Sequence, residues 1–186
     1  LSANDALPGL DANQKSWGFW LNKTDRANDT IVCTETADGA GNFRFLIETT
    51  TTGAGGSQVR ISVSAQHSTT GGFWIGAQDI NLAFSVFVAV TYDRSATTND
   101  PVIYLNGASI TVTESATPVG TAGTGDDTLK FGENAGGGAD FNGVISAVSC
   151  QVGTLWNAAQ VNRAGWWGRS HGGLLVYHPF WTSKLA

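Results

Sequence analysis

Hydrolysis of a glycosidic bond needs two carboxyl groups facing one sugar, and on a β-sheet that demand appears as acidic residues alternating along one strand, as in E-x-D-x-E. The chain has no such run. Glu35, Glu48, Glu114 and Glu133 each stand between uncharged neighbours. Asp126 and Asp127 are adjacent in a Gly/Thr loop, where an extended backbone would turn them to opposite faces. The plain reading of the pair is solvated turn residues. The alternative is calcium ligation shared with the distant Asp140, because calcium collects several oxygens. His67, His171 and His178 are isolated, with neither H-x-H nor H-E-x-x-H spacing for zinc, and no Ser sits in G-x-S-x-G. The sequence therefore reads as non-catalytic and without a cofactor, calcium being the one metal in question.

Recognition chemistry is better represented. Seven Trp among 186 residues supply large rigid faces. Sugar rings stack on such faces through their C–H surfaces, and protein partners anchor on them. Trp17, Trp20 and Trp156 lie in segments expected to feed the core. Phe73-Trp74 follows a Thr-Thr-Gly-Gly turn, and Trp166-Trp167 lies in a Gly-flanked segment. Both pairs are candidates for exposed contact, against the alternative of packing beneath a loop. The C-terminal stretch adds Tyr177, Phe180 and Trp181, too much apolar area to leave in water. The candidate ligand- or partner-binding residues are thus Phe73, Trp74, Trp166, Trp167, Tyr177 and Trp181. The tail is expected to pack on its own sheet or on a neighbour, so a homo-oligomer or larger assembly is one outcome.

Only 13% of residues are charged and the formal net charge is −5, which disfavours a grip on nucleic acid or on an anionic membrane. No run of some 18 apolar residues could span a bilayer. The expected partner is a glycan or a protein surface. Cys33 and Cys150 both lie in apolar strand candidates, as small buried hydrophobes would; a disulfide between the sheets is the alternative. The chain opens on Leu1 rather than Met, as a processed or excerpted chain would.

The elements that must position these residues are strands. Turn-rich breaks separate strand candidates at 17–22, 30–36, 43–49, 58–65, 73–76, 85–93, 102–106, 108–114, 128–132 and 142–152. Arg60-Ile61-Ser62-Val63-Ser64 alternates as a strand with one wet face should. Phe84–Tyr92 is apolar on both faces, the pattern of a central strand covered by the opposite sheet and by a loop. Thr49–Gly56 is a low-complexity stretch expected to be a solvated hairpin loop. Asn106-Gly107 between two short strands predicts a type I′ turn.

Three of these runs, in order, carry a resemblance. Phe87-Val88-Ala89-Val90-Thr91-Tyr92-Asp93, then Ile103-Tyr104-Leu105-Asn106-Gly107, then Phe141-Asn142-Gly143-Val144-Ile145 together resemble the laminin-G-like, concanavalin A-like lectin-glucanase superfamily. Ser16–Leu21 looks like that family's early Trp-bearing strand, and Leu155–Val161 looks like its short terminal helix. Where the family often carries Trp before its V-A-V, this chain has Ser85 with Phe84 beside it. The resemblance implies an all-β, concanavalin-type jelly-roll β-sandwich of two antiparallel sheets with a short helix near the C-terminus. It implies an N-terminal arm over 1–13, the sandwich over 14–165 and an aromatic strand or tail over 166–186. The tail's Gly172–Trp181 looks like the G-L-V-x-Y-W-P-F strand that often opens such a unit, with Pro179 suited to an edge. The expected function is a non-catalytic lectin-like recognition or adhesion module of a secreted, cell-surface or virion protein. The alternative is a structural interaction protein, such as a virion (capsid) decoration or fibre component.

Overall fold

The computed structural model describes residues 2, 3, 10, 12–35, 43–123, 128–133 and 140–170, with 2, 3, 43 and 167–170 described by backbone alone. Among them are thirteen strands: β1 Ser2–Ala3, β2 Gln14–Lys23, β3 Thr30–Glu35, β4 Phe43–Thr50, β5 Gln58–Ala65, β6 Gly72–Gly76, β7 Ile80–Asn81, β8 Ser85–Asp93, β9 Val102–Leu105, β10 Ala108–Ile110, β11 Val112–Ala116, β12 Thr128–Phe131 and β13 Gly143–Val152. One helix, α1, spans Ala158–Ser170. The strands form two antiparallel sheets. One runs β1-β12-β3-β4-β5-β6-β11 with β7 beside β5, and the other runs β10-β9-β8-β2-β13. The protein is a jelly-roll β-sandwich.

Alternation along β2 shows how the sequence builds the core. Trp17, Phe19 and Leu21 face inward and are buried, while Gly18, Trp20 and Asn22 face out. The inward row ends on a lysine at each side. Lys15 lies 5.8 Å over the Phe45 ring, and Lys23 lies 5.2 Å over the Phe141 ring while it pairs with Asp25 and, at 2.5 Å, with Asp29. The Lys23 ammonium holds the Asp25 carboxyl below the usual carboxylate range. Opposite, β4, β5 and β6 contribute Phe45, Ile47, Ile61, Val63 and Trp74. Tyr92 of β8 stacks on Phe45 at 6.2 Å and tilts against Trp74 at 5.2 Å.

The Asn106-Gly107 turn forms as expected. Leu105 pairs with Ala108, and both turn residues have positive φ, 51° and 88°. The strand expected over 108–114 divides at Thr111. β10 stays with the five-stranded sheet and β11 crosses to pair with β6 of the other sheet.

The structure qualifies two expectations about faces. The polar face of β5 is wet only at its start, where Gln58 and Arg60 are half-buried; further along, Ser62 and Ser64 are buried beside their larger register partners Glu48, Ile75, Leu46 and Phe73. β8 is covered on its outer side by the loop residue Trp156, as expected, and by α1 as well, with Phe87 and Ala89 in contact with Trp156 and Val161. The helix itself starts later and runs further than Leu155–Val161. Asn157 caps it, since its Oδ1 accepts from Gln160 N at 3.0 Å while Gln160 Oε1 accepts from Asn157 N at 2.9 Å. A boundary at 165/166 therefore falls within α1. The expected tail beyond residue 170 lies outside the described residues.

Candidate functional site

Two glycines allow α1 to sit close on the five-stranded sheet. A Cβ on Gly18 would lie 2.9 Å from the Trp156 ring, and one on Gly165 would lie 2.7 Å from the Phe87 ring. Trp156 is fixed over Gly18 by its backbone N, which donates to Ser16 Oγ at 2.9 Å, and by its indole N–H, which donates to Gln151 Oε1 at 2.5 Å. Val161 and Gly165 face the sheet, and the helical period then places Asn162 and Trp166, four residues apart, together at the flank.

At that flank lies a hollow of about 150 Å³ lined by Trp20, Phe87, Asn106, Gly107, Asn162, Gly165 and Trp166. Trp20 and Phe87 are register partners on β2 and β8, their ring centroids 5.7 Å apart and tilted by 47°. The Trp20 indole N–H donates to Gly165 O at 3.2 Å, which ties the helix to the ring. Asn106 is held by its turn, with its N donating to Phe87 O at 2.8 Å and its Oδ1 accepting from Phe87 N at 3.1 Å. Gly107 has no side chain to obstruct Asn162, whose Oδ1 would lie 1.9 Å from any Cβ there. Trp166 is 74% exposed. The arrangement offers apolar ring faces bordered by two carboxamides, which suits a ligand with an apolar face and polar edges.

Of the residues singled out from sequence, Trp166 belongs to this hollow. Trp74 does not present a face, and the expectation of an exposed Phe73-Trp74 pair is corrected. Consecutive residues of a strand point to opposite sides. Trp74 is therefore buried in the core with its indole N–H on Asp100 Oδ1 at 2.7 Å, while Phe73 lies half-buried on the outer side of β6. The Trp167 side chain, Tyr177 and Trp181 lie outside the described residues. Trp20, expected in the core, instead shapes the hollow. Its spacing of three from Trp17 was the available signal, because an odd step along a strand changes face.

The carboxylates do not assemble into a hydrolytic pair on β3 and β4. Glu48 pairs in register with Thr30, whose hydroxyl it accepts at 3.3 Å, and burial pushes its carboxyl up. Glu35 lies five residues further along β3, roughly 16 Å away at strand rise, beyond the 5–10 Å that glycoside hydrolysis uses. Glu35 is also paired with Lys130 at 2.7 Å. Among the described residues no group of three or more His, Cys, Asp or Glu is placed to hold a metal. Asp126 and Asp127 lie outside them, and Asp140 is exposed. Cys33, buried against Leu46, and Cys150, half-buried on β13, lie on different sheets and are not bonded to each other. Burial pushes the Cys150 thiol up to about 12. A second, more open recess of about 300 Å³ is lined by Ala12, Asn13, Gln14, Asp93, Ser95 and Gly153. It has no aromatic face. The Asp93 carboxylate there already accepts from Gln14 Nε2 at 3.0 Å and Ser95 N at 2.9 Å, which lowers its proton affinity.

Neither a protein-family model nor a curated protein sequence matches the chain. Solved structures do. The fold is similar to that of the native heptameric SAP-like pentraxin from Limulus polyphemus, with TM-score 0.66 and 14% identity over 88% of this chain and 74% of that one. It is similar to a putative carbohydrate binding protein from Bacteroides ovatus, with TM-score 0.59 and 17% identity over 86% of this chain and 42% of that one. It is also similar to the CBM40 of Ruminococcus gnavus IT-sialidase bound to α2,3 sialyllactose, with TM-score 0.58 and 14% identity over 89% of this chain and 98% of that one. At these identities the likeness is one of fold.

Proposed function

We propose that this protein is a non-catalytic, lectin-like module that binds glycan in the hollow between α1 and the five-stranded sheet, as part of a secreted, cell-surface or virion protein. The observation that carries the reading is the exposed Trp166 ring standing beside the Trp20 and Phe87 rings with the Asn106 and Asn162 amides at the border. Aromatic faces take the C–H surface of a sugar ring, and amides take its hydroxyls, donating through NH₂ and accepting through C=O. The fold likeness to a putative carbohydrate binding protein and to a sialidase CBM40 supports the same class of ligand. The separation of Glu35 from Glu48 supports binding over hydrolysis. Trp167, Tyr177 and Trp181 are proposed as further contact residues on their ring chemistry alone, and Phe73, on the outer side of the other sheet, as a separate one.

The test is a glycan array probed with the full chain and with Trp166→Ala. Retention of a defined set of glycans by the full chain, lost in the variant, is the expected outcome. A chain that retains no glycan, or a variant that retains the same set equally well, overturns the reading.

A further inference from the structure

Resting on that glycan reading, we propose that the hollow takes the terminal ring of a sugar chain and that the next ring lies on the row formed by Ser85, Asn22 and Val144. The ligand class is then a chain end read over two sugars. The size of the hollow sets the first part. At about 150 Å³ it is half of the roughly 300 Å³ at which pockets for whole drug-sized ligands begin, which leaves room for one ring. A longer glycan must leave it on one side.

The sheet decides which side. Successive outward pairs on β2 and β8 are Gly18 with Ala89, Trp20 with Phe87, and Asn22 with Ser85, each about 7 Å from the next, a step that suits one sugar ring. Toward Gly18 and Ala89 the hollow is closed, because Trp156 and Val161 are buried there with Ala89 and Tyr104 packs against them. Toward Asn22 and Ser85 it is open. Ser85 is exposed, Asn22 is half-buried, and Val144, the partner of Asn22 on β13, is 59% exposed. The β9-β10 hairpin also stops short of this row, since β9 pairs with β8 from Val88 onward and its turn bonds Phe87. The row carries the chemistry of a second contact. Asn22 Nδ2 donates to Ser85 Oγ across a long 3.4 Å in an exposed bond that sugar hydroxyls can replace, and Val144 beside them offers methyl groups to ring C–H.

The experiment titrates the full chain, by tryptophan fluorescence, with three ladders: N-acetylglucosamine, chitobiose and chitotriose; galactose and lactose; mannose and α1,2-mannobiose. In at least one ladder the disaccharide should bind about tenfold tighter than its monosaccharide, the gain that one or two added hydrogen bonds supply, and a third ring should add little. The double variant Asn22→Ala/Ser85→Ala should bring the ratio of the two affinities close to one, and Ser85→Ala alone, at an exposed position, should lower it part of the way. Equal binding of mono- and disaccharide, or a ratio that both variants leave untouched, overturns the second contact while leaving the hollow a glycan site. A third ring that adds as much as the second overturns the chain-end class. Silence of every ladder overturns the proposal, and together with an empty glycan array it overturns the glycan reading itself.

Discussion

The outer faces of the two sheets are built from the same kind of strand and end up with opposite characters. On the eight-stranded sheet, the registers set Cys33, Leu46, Ser64 and Phe73 in one row and Thr30, Glu48, Ser62 and Ile75 in another. That face buries small polar groups and one carboxyl. On the five-stranded sheet the corresponding rows are Gly18 with Ala89 and Trp20 with Phe87. The small pair admits Trp156 and the helix, and of the large pair Phe87 is buried with them while Trp20 is left half-buried beside the helix. The proposed recognition surface follows from where a covering element stops, not from how many aromatic residues a strand carries. Trp74 carries the same ring as Trp20, yet it serves only the core.

The largest effect that could break this contrast is at Trp156. Trp156→Ala removes a buried ring between Gly18 and Phe87, so a loss of about 3–5 kcal/mol is expected in chemical denaturation. Phe73→Ala, half-buried on the opposite face, should cost roughly 1–2 kcal/mol. Equal costs would mean that the Trp156 cover is not what holds the five-stranded face. Next comes Gly107→Val. A β-branched residue at φ 88° costs about 1–3 kcal/mol, and its Cβ would displace the Asn162 amide. Glycan affinity should fall with stability. Loss of stability with unchanged affinity would remove Asn162 from the site.

The rows themselves were largely readable from sequence, because period-2 alternation and the Asn-Gly turn are local signals. β8, the β9-β10 hairpin and the β2 core face follow from residues within a few positions of one another. The hollow was not readable in the same way. It needs Trp20 and Phe87, which are 67 positions apart in number, to become register partners, and it needs Asn162 and Trp166 to arrive from a helix whose extent depends on the cap at Asn157 and Gln160. The capping role of Gln160 is set by its reciprocal bond with Asn157. Trp74 was misread because a Trp after a glycine turn looks exposed until strand parity assigns it inward.

A smaller effect, on the other face, concerns Glu48. Burial raises its carboxyl above the ordinary 4.5, so the folded state holds the proton more tightly than the unfolded chain does. The sign follows from linkage. Stability is highest below 4.5, where both states are protonated at this site, and it declines as pH rises through the raised folded value. Glu48→Gln removes that decline, so the variant should melt above the wild type at pH 7 and lose most of the advantage at pH 4. A constant difference between the two pH values would show the carboxyl to be well hydrated.

The smallest stability effect expected is at the most consequential residue of the proposed site. Trp166 is 74% exposed, and truncating an exposed side chain usually shifts stability by no more than about 0.5 kcal/mol. Trp166→Ala should therefore unfold at nearly the wild-type denaturant concentration. Trp20→Ala, which breaks the bond to Gly165 O and the contact with Phe87, should be visibly less stable. Acrylamide quenching sharpens the comparison, since Trp17 and Trp74 are buried and a disproportionate share of the quenchable emission should disappear with Trp166. If Trp166→Ala instead costs several kcal/mol, its ring is a packing element, the hollow is closed in solution, and the contrast between the two faces loses its functional meaning.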